Sequence, residues 1–316
     1  MLSPVAVGVI IYASMLVILC VGFSLTHMIE KFPNFAHASY ATIGTMFTYT
    51  FTRLWGYSPY LAWPLAFLLG GGVGVVLYLL VVRPMQNAGS GGVSLTFAMF
   101  ALSILLGAIL AVYSFWVLMT RGFRTSGFLL KRYDLVLSGY PGVLFAAPFV
   151  CILLVVSLHL FLTKVKFGIA IRATTEDPEL AISIGINIFR VHVVSWFLTG
   201  AMSGLAGAVI PLWLPTGLGG TDELLMVIIA GSVLGGLNNI YGAILGGIAM
   251  ALAQKVLPSM LIRALGVWIG SYEPMAPILV IVATLMIEPN GITGILNRKH
   301  TSLHKIRMSI NRISGS

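Results

Sequence analysis

Long apolar runs recur along this chain of 316 residues, and they constrain its fold more than any other feature. A helix that crosses the hydrocarbon core of a bilayer needs about 20 apolar residues. Only 9% of the chain is charged, whereas a soluble domain carries roughly 25% charged residues. The sequence therefore predicts one all-α polytopic membrane domain, residues 1–316, with about eight (seven to nine) transmembrane helices. The strong runs are residues 5–26, 60–82, 93–119, 143–163 and 191–212.

Shorter or weaker apolar runs occupy residues 38–54, 224–236, 241–257 and 274–287. The run 224–236 is too short for a straight crossing, and such broken or re-entrant segments are tolerated only where protein or a water-filled cavity covers them. In transporters, short glycine-interrupted segments point to the solute path. Gly235, Gly236 and Asn238, at the break between two short runs, are therefore candidate path residues, although glycines here also suit close helix packing.

A polar break, HMIEKFPNFAHAS, separates the first two runs at residues 27–39. Asn34 and His37 lie in this break between apolar pieces. Two roles fit them: they line the translocation path, or they satisfy backbone groups where a helix is interrupted, and the second is the favoured interpretation.

The distribution of bases predicts the orientation of the chain. Cytoplasmic segments of membrane proteins are enriched in lysine and arginine, so the basic tail, residues 297–316, is expected in the cytoplasm. Counting back through the runs places residues 164–190, with four bases, on the same side. Residues 121–141 then fall outside despite their four bases, against the general tendency. The N-terminus is external if residues 38–54 cross the membrane and internal if they are re-entrant.

Two parts of the chain have a similar sequence pattern. Residues 34–78 and 221–253 each pair a modest apolar piece with a glycine-rich one. The two regions begin on opposite sides of the membrane in the orientation above, as inverted repeats do. The sequence thus predicts pseudo-inverted repeats, although glycine-rich helices also resemble one another by composition alone.

One polar segment, residues 164–190, has the pattern of a short loop helix. Asp177 can cap a helix that begins at Pro178, Glu179 suits its first turn, and Gly185 can end it. Ala181 and Ile184 are expected on one face and Glu179 on another. Two turns are too short to be stable alone in water, so neighbouring structure or a partner must hold this helix.

The sequence lacks the motifs of several function classes. It contains no phosphate-binding G-x-x-x-x-G-K-[ST] motif, no metal-ligand spacing and no catalytic constellation, so no enzyme activity and no cofactor are expected. All nine acids fall in loops or at the ends of apolar runs, whereas ion-coupled carriers usually bury an ionisable group at mid-depth. The net charge of +9 favours contact with anionic lipid rather than nucleic acid.

Five ordered motifs resemble one family across nearly the whole chain: PNFAHAS at 33–39, FGIAIRATTEDPELAISIGIN at 167–187, GAMSGLAGAVI at 200–210, AGSVLGGLNNIYGAILGG at 230–247 and EPNGITG at 288–294. They are similar to motifs of branched-chain amino acid ABC importer permeases, more closely to the shorter permease of the pair. The chain departs from the family pattern at Asn238-Asn239 and in its basic loop at 121–132.

This resemblance implies an inner or plasma membrane permease that works with a second homologous permease, two ATP-binding subunits and an extracytoplasmic solute-binding protein. ATP would be bound by the partners. The substrate implied is a branched-chain amino acid, with urea or short amides as alternatives; a stand-alone secondary carrier or channel is the alternative from another class. The residues implied in ATPase coupling are Arg172, Glu176, Asp177, Pro178, Glu179, Ala181 and Gly185.

Overall fold

The structure, a computed structural model, describes residues 3–125, 127–137, 139–218 and 222–294. The basic tail at 297–316 lies outside the described residues. Twelve helices are present in the described part of the chain: α1 Pro4–Glu30, α2 His37–Tyr49, α3 Pro59–Leu77, α4 Arg83–Asn87, α5 Gly92–Arg121, α6 Val143–Lys164, α7 Lys166–Glu176, α8 Pro178–Ser183, α9 Ile188–Trp213, α10 Asp222–Gly235, α11 Ile240–Leu265 and α12 Ala276–Ile287.

Shorter elements extend or connect these helices. Two π-helical turns, Thr50–Leu54 and Tyr78–Val82, continue α2 and α3. Two 3₁₀ helices, Lys131–Tyr133 and Val267–Met275, lie in connections. A two-stranded antiparallel hairpin pairs β1 Val136–Leu137 with β2 Tyr140–Pro141.

Seven continuous helical segments of the described residues are long and apolar enough to cross a membrane; one of them joins α3 to α4, and another contains α12. Helix α10 is a shorter apolar helix. The predicted all-α polytopic fold is therefore confirmed. The run predicted to end at Leu257 continues as α11 to Leu265, with Pro258 inside the helix. A proline removes one backbone hydrogen bond of a helix but does not always end it in a membrane protein, because neighbouring groups can satisfy the freed carbonyl.

The two ends of the bundle are fixed by contacts between α1 and α9. At the end that carries α8, the last residue of α1, Glu30, contacts His192 near the start of α9. At the far end, Gly8 of α1 lies beside Trp213, the last residue of α9. The two helices are therefore antiparallel, and the chain starts at the far end. We call these two ends the α8 end and the far end.

Helix α2 begins in the middle of the bundle and runs to the far end. His37 Nε2 lies 3.0 Å from the carbonyl oxygen of Leu19, halfway along α1. The hydroxyl of Thr45 donates to the carbonyl oxygen of Gly207 at 2.7 Å, and Tyr49 contacts the loop that follows α5. Residues 31–54 thus pass from one end of the bundle to the other, with α2 itself in the half nearer the far end; a full crossing by residues 38–54 stays a prediction.

Helices α1 and α9 each pack against helices that are distant in the sequence. Helix α1 packs against α10 and α11, whereas α9 packs against α2 and α3. Helix α1 thus packs against the two helices that follow α9 in the sequence, and α9 packs against the two helices that follow α1. The inverted repeat of residues 34–78 and 221–253 stays a prediction.

Glycines allow the closest of these helix contacts. A Cβ atom on Gly70 of α3 would overlap the carbonyl oxygen of Gly200 in α9, and one on Gly44 of α2 would overlap that of Gly204. The same relation holds between Gly235 of α10 and the backbone of α11. Small residues at these crossings let backbones approach as they do in packed membrane helices.

Candidate functional site

The predicted loop helix is present as α8. Asp177 is its N-cap, and its Oδ1 accepts hydrogen bonds from the backbone N–H groups of Glu179 and Leu180, both at 3.0 Å. Pro178 occupies the first helical position, where its missing N–H leaves no partner unsatisfied. Gly185 follows with φ +86°, a conformation that glycine adopts at little cost. The cap, the start and the stop of this helix follow the sequence pattern.

A second helix, α7, precedes α8 and was not predicted. The chain turns at Val165, and Gly168 of α7 packs closely on α6, where a Cβ atom would overlap the backbone of Phe161 and Leu162. Ile171 and Thr174 of α7 are buried. The side chain of Lys31, just after α1, donates to the carbonyl oxygen of Thr175 at 3.2 Å. These contacts attach the two loop helices to the bundle, which supplies the support that a two-turn helix needs.

The sides of α8 differ sharply in exposure. Ala181 is 1% exposed, whereas Leu180, Ile182 and Ile184 are 60%, 61% and 68% exposed. The expectation that Ala181 and Ile184 share a face is wrong, because Ile184 lies past the last helical residue, Ser183, and points away from the bundle. A short, capped helix thus presents three large apolar side chains outward at one end of the bundle.

A cavity of about 460 Å³ lies between α6, α7 and the turn that joins α10 to α11. Arg172 and Glu176 of α7 line it, together with Asn238 of the turn. His159 of α6 also lines it, with Nδ1 lying 2.5 Å from the hydroxyl of Tyr241. The structure therefore brings two predicted coupling residues, Arg172 and Glu176, to the same cavity as the predicted path residue Asn238.

The other predicted path residues lie apart from this cavity. Asn34 and His37 are buried, and Asn34 Oδ1 accepts from the backbone N–H of Ala36 at 3.0 Å. These contacts satisfy backbone groups at the break before α2. Gly235 packs on α11 and its carbonyl oxygen accepts from Thr293 at 3.1 Å, while Gly236 has φ +106°. A role of these four residues in the path stays a prediction.

A buried carboxylate near the cavity was not predicted from the sequence. The side chain of Glu30 is enclosed by three donors: Oε1 lies 2.5 Å from Nδ1 of His192 and 2.6 Å from Nε1 of Trp196, and Oε2 accepts from Gln86 at 2.8 Å. The apolar run predicted to stop at Thr26 continues as helix to Glu30. The sequence signal that could have found it is the helical spacing of four between His192 and Trp196.

Comparisons with known proteins agree with this architecture. A family model described as the permease component of a branched-chain amino acid transport system matches residues 5–288. A probable branched-chain amino acid transport permease protein LivH of Methanocaldococcus jannaschii is 35% identical over 288 residues, which are 91% of this chain and 91% of that protein.

Other relatives match shorter parts. The high-affinity branched-chain amino acid transport system permease protein LivH of Escherichia coli strain K12 is 26% identical over 46% of this chain and 45% of its own length. The autoinducer 2 import system permease protein LsrC of Yersinia enterocolitica is 31% identical over 33% of this chain and 31% of its own length. No solved structure is a significant match. Because the family model covers most of the chain, the protein belongs to the family of branched-chain amino acid transport system permease components.

Proposed function

We propose that this chain is the membrane-spanning permease subunit of an ATP-driven importer of branched-chain amino acids. The observation that carries the proposal is α8, a capped helix that is fixed to the bundle and presents Leu180, Ile182 and Ile184 to solvent. Exposed apolar side chains on and just after a short helix suit insertion into an apolar groove of a partner, and Leu180 and Ile184 have the i, i+4 spacing of such anchors. The partner in this proposal is an ATP-binding subunit.

The proposed assembly contains a second, homologous permease, two ATP-binding subunits and an extracytoplasmic solute-binding protein. ATP binds to the partners, and the chain itself supplies the solute path. In this arrangement the α8 end faces the cytoplasm. Residues 288–294 lie at this end, since Thr293 contacts Gly235, which supports the prediction of a cytoplasmic C-terminus.

The cavity provides a way for motion of α8 to reach the membrane-spanning helices. Arg172 and Glu176 belong to α7, which continues directly into α8 through the cap residue Asp177. A displacement of α8 by a moving ATP-binding subunit would therefore change the spacing between α7 and Asn238 across the cavity. In the proposed cycle, this change passes the motion of the ATP-binding subunits to α10 and α11.

The sharpest test is to make α8 polar. The double variant Leu180→Asp/Ile184→Asp should insert into the membrane normally but lose co-purification with the ATP-binding subunits and lose ATP-driven uptake. The matched control is Leu135→Asp/Leu137→Asp, which alters two exposed leucines at the far end and should leave that co-purification intact. Uptake at the full rate by the purified chain alone, in liposomes without ATP-binding subunits, would show instead a stand-alone carrier or channel.

The identity of the substrate is tested by measuring what the solute-binding protein binds. The names of two relatives refer to branched-chain amino acid transport, and this supports leucine, isoleucine and valine. Titration of the solute-binding protein with these amino acids, urea and short amides distinguishes the substrate classes. Binding of urea or amides in preference to the amino acids would reassign the substrate while leaving the ATP-driven mechanism in place.

A further inference from the structure

The end of α5 and the loop between α5 and β1 carry a concentration of positive charge at the far end. Arg121, Arg124, Lys131 and Arg132 are all exposed. We call these four residues the basic platform. In the orientation proposed above the platform faces away from the cytoplasm, where membrane proteins usually carry fewer bases.

The platform is held in a fixed position. Phe128 and Thr216 exchange both backbone hydrogen bonds, at 2.9 and 3.0 Å. The backbone N–H of Leu130 donates to the carbonyl oxygen of Pro211 at 2.6 Å. The hydroxyl of Tyr49 donates to the carbonyl oxygen of Arg124 at 3.0 Å. The loop is therefore attached at several points to α2, α9 and the segment after α9.

The charges of the platform are not neutralised within the described residues. The ion-pair contacts there join Glu30 to His192 and Lys255 to Glu273, so none of the four bases has an acidic partner in that part of the chain. The nearby acid, Asp134, accepts a hydrogen bond from Tyr60. Unpaired guanidinium groups on a fixed loop are well prepared to bind carboxylates, because little side-chain and backbone ordering is left to complete on binding.

The position of the platform favours a protein partner over lipid. Its loop is attached to the ends of α2 and α9, and most residues of both helices are buried. Lys131 lies over the ring of Trp213 at 5.2 Å. The loop that follows α5 therefore lies against the ends of two largely buried helices, while Arg121 ends α5, most of whose side chains are exposed. Exposed Phe123 and Leu129 lie on the same loop, and mixtures of arginine and apolar side chains are typical of protein interfaces.

We propose that the basic platform is the docking surface for an acidic face of the extracytoplasmic solute-binding protein. This inference rests on the proposed function, which supplies such a partner. Complementary charges accelerate association and fix the orientation of a complex. The interaction is expected to weaken as salt concentration rises, because the groups involved are exposed.

The experiment uses the complete transporter in nanodiscs of neutral lipid and its own solute-binding protein. The triple variant Arg121→Glu/Arg124→Glu/Arg132→Glu is compared with the unaltered complex; Lys131 is kept because it packs on Trp213. The affinity of the triple variant should fall about tenfold or more at low salt, and its salt dependence should flatten. The corresponding Arg→Lys triple variant should keep most of the affinity, which separates loss of charge from misfolding.

Position is tested by a matched single change. Arg132→Glu should weaken binding, whereas Arg263→Glu, which alters an exposed arginine at the end of α11, should change the affinity less than about twofold. Unchanged affinity and salt dependence in the triple variant would overturn the docking surface while leaving the importer proposal standing. An effect seen only in nanodiscs with anionic lipid would overturn it in favour of a lipid contact. If the unaltered complex binds neither ATP-binding subunits nor a solute-binding protein, the proposed function itself fails.

Discussion

Glu30 and His192 join the end of α1 to the start of α9, with 2.5 Å between Oε1 of the carboxylate and Nδ1 of the imidazole. The same carboxylate oxygen accepts from Trp196, and its partner oxygen accepts from Gln86. One acidic side chain therefore ties three segments together at the end of the bundle that carries α7 and α8. It lies next to Lys31, which holds α7.

The first prediction concerns this carboxylate. Glu30→Ala removes the acceptor of three donors and leaves at least the buried indole N–H of Trp196 without a partner, which costs about 1–3 kcal/mol per buried group. The detergent-solubilised protein should unfold at a lower temperature and expose α7 to proteolysis. Glu179→Ala, at an exposed acid in the same region, is the control and should shift the melting temperature little. Equal melting temperatures for the two variants would show that the Glu30 contacts are not stabilising.

The second prediction concerns the cap of α8. Asp177→Ala removes the acceptor for the N–H groups of Glu179 and Leu180, and loss of an N-cap costs about 0.5–2 kcal/mol. Hydrogen exchange at these two amides should accelerate, and uptake by the complete transporter should fall. Asp177→Ser restores a capping oxygen and should recover most of both properties. Failure of serine to restore uptake would show that the carboxylate acts by its charge rather than as a cap.

The third prediction compares two glycines of α3. A Cβ atom on Gly70 would overlap the carbonyl oxygen of Gly200, whereas one on Gly72 would meet nothing within 4 Å. Gly70→Ala should therefore force α3 and α9 apart and destabilise the protein by about 1–3 kcal/mol. Gly72→Ala should be neutral or slightly stabilising, because alanine favours helix. Thermal unfolding of both purified variants decides this; similar losses would contradict the close crossing.

The fourth prediction concerns the cavity between α7 and the α10–α11 turn. Arg172→Ala and Asn238→Ala should each reduce ATP-driven uptake while preserving assembly with the ATP-binding subunits. Because both side chains line one cavity, their effects are expected to be non-additive in a double-mutant cycle. Arg190→Ala, an exposed base at the start of α9, serves as the comparison and should combine additively with Asn238→Ala. If the effects of the substitutions on uptake are strictly additive in both double-mutant cycles, the cavity takes no part in coupling.

Local signals predicted some elements well. Asp177, Pro178 and Gly185 specify α8 through short-range rules of capping and left-handed backbone, so its start could be predicted directly and its end to within one residue. The apolar runs likewise predicted the long helices, because a bilayer imposes their length. These features depend on residues within a few positions of one another, and no knowledge of the tertiary structure is needed for them.

Features that depend on distant partners were not predicted. The enclosure of Glu30 depends on Gln86, His192 and Trp196, which reach it only after α1, α4 and α9 have assembled. The cavity likewise needs α7, whose mixed apolar and charged sequence was interpreted as loop, to lie beside Asn238. The side on which Ile184 lies depended on where α8 ends, and helix ends are hard to predict to within one residue.

The crossed packing of α1 and α9 has a consequence for biosynthesis. Helix α1 leaves the ribosome first, yet the helix that it contacts most, α11, is synthesised about 200 residues later. The buried hydroxyl of Thr26 in α1 likewise meets its partner, Thr199, only after α9 has been synthesised. Neither half of the chain is expected to fold on its own, since each contains a central helix whose neighbours belong to the other half.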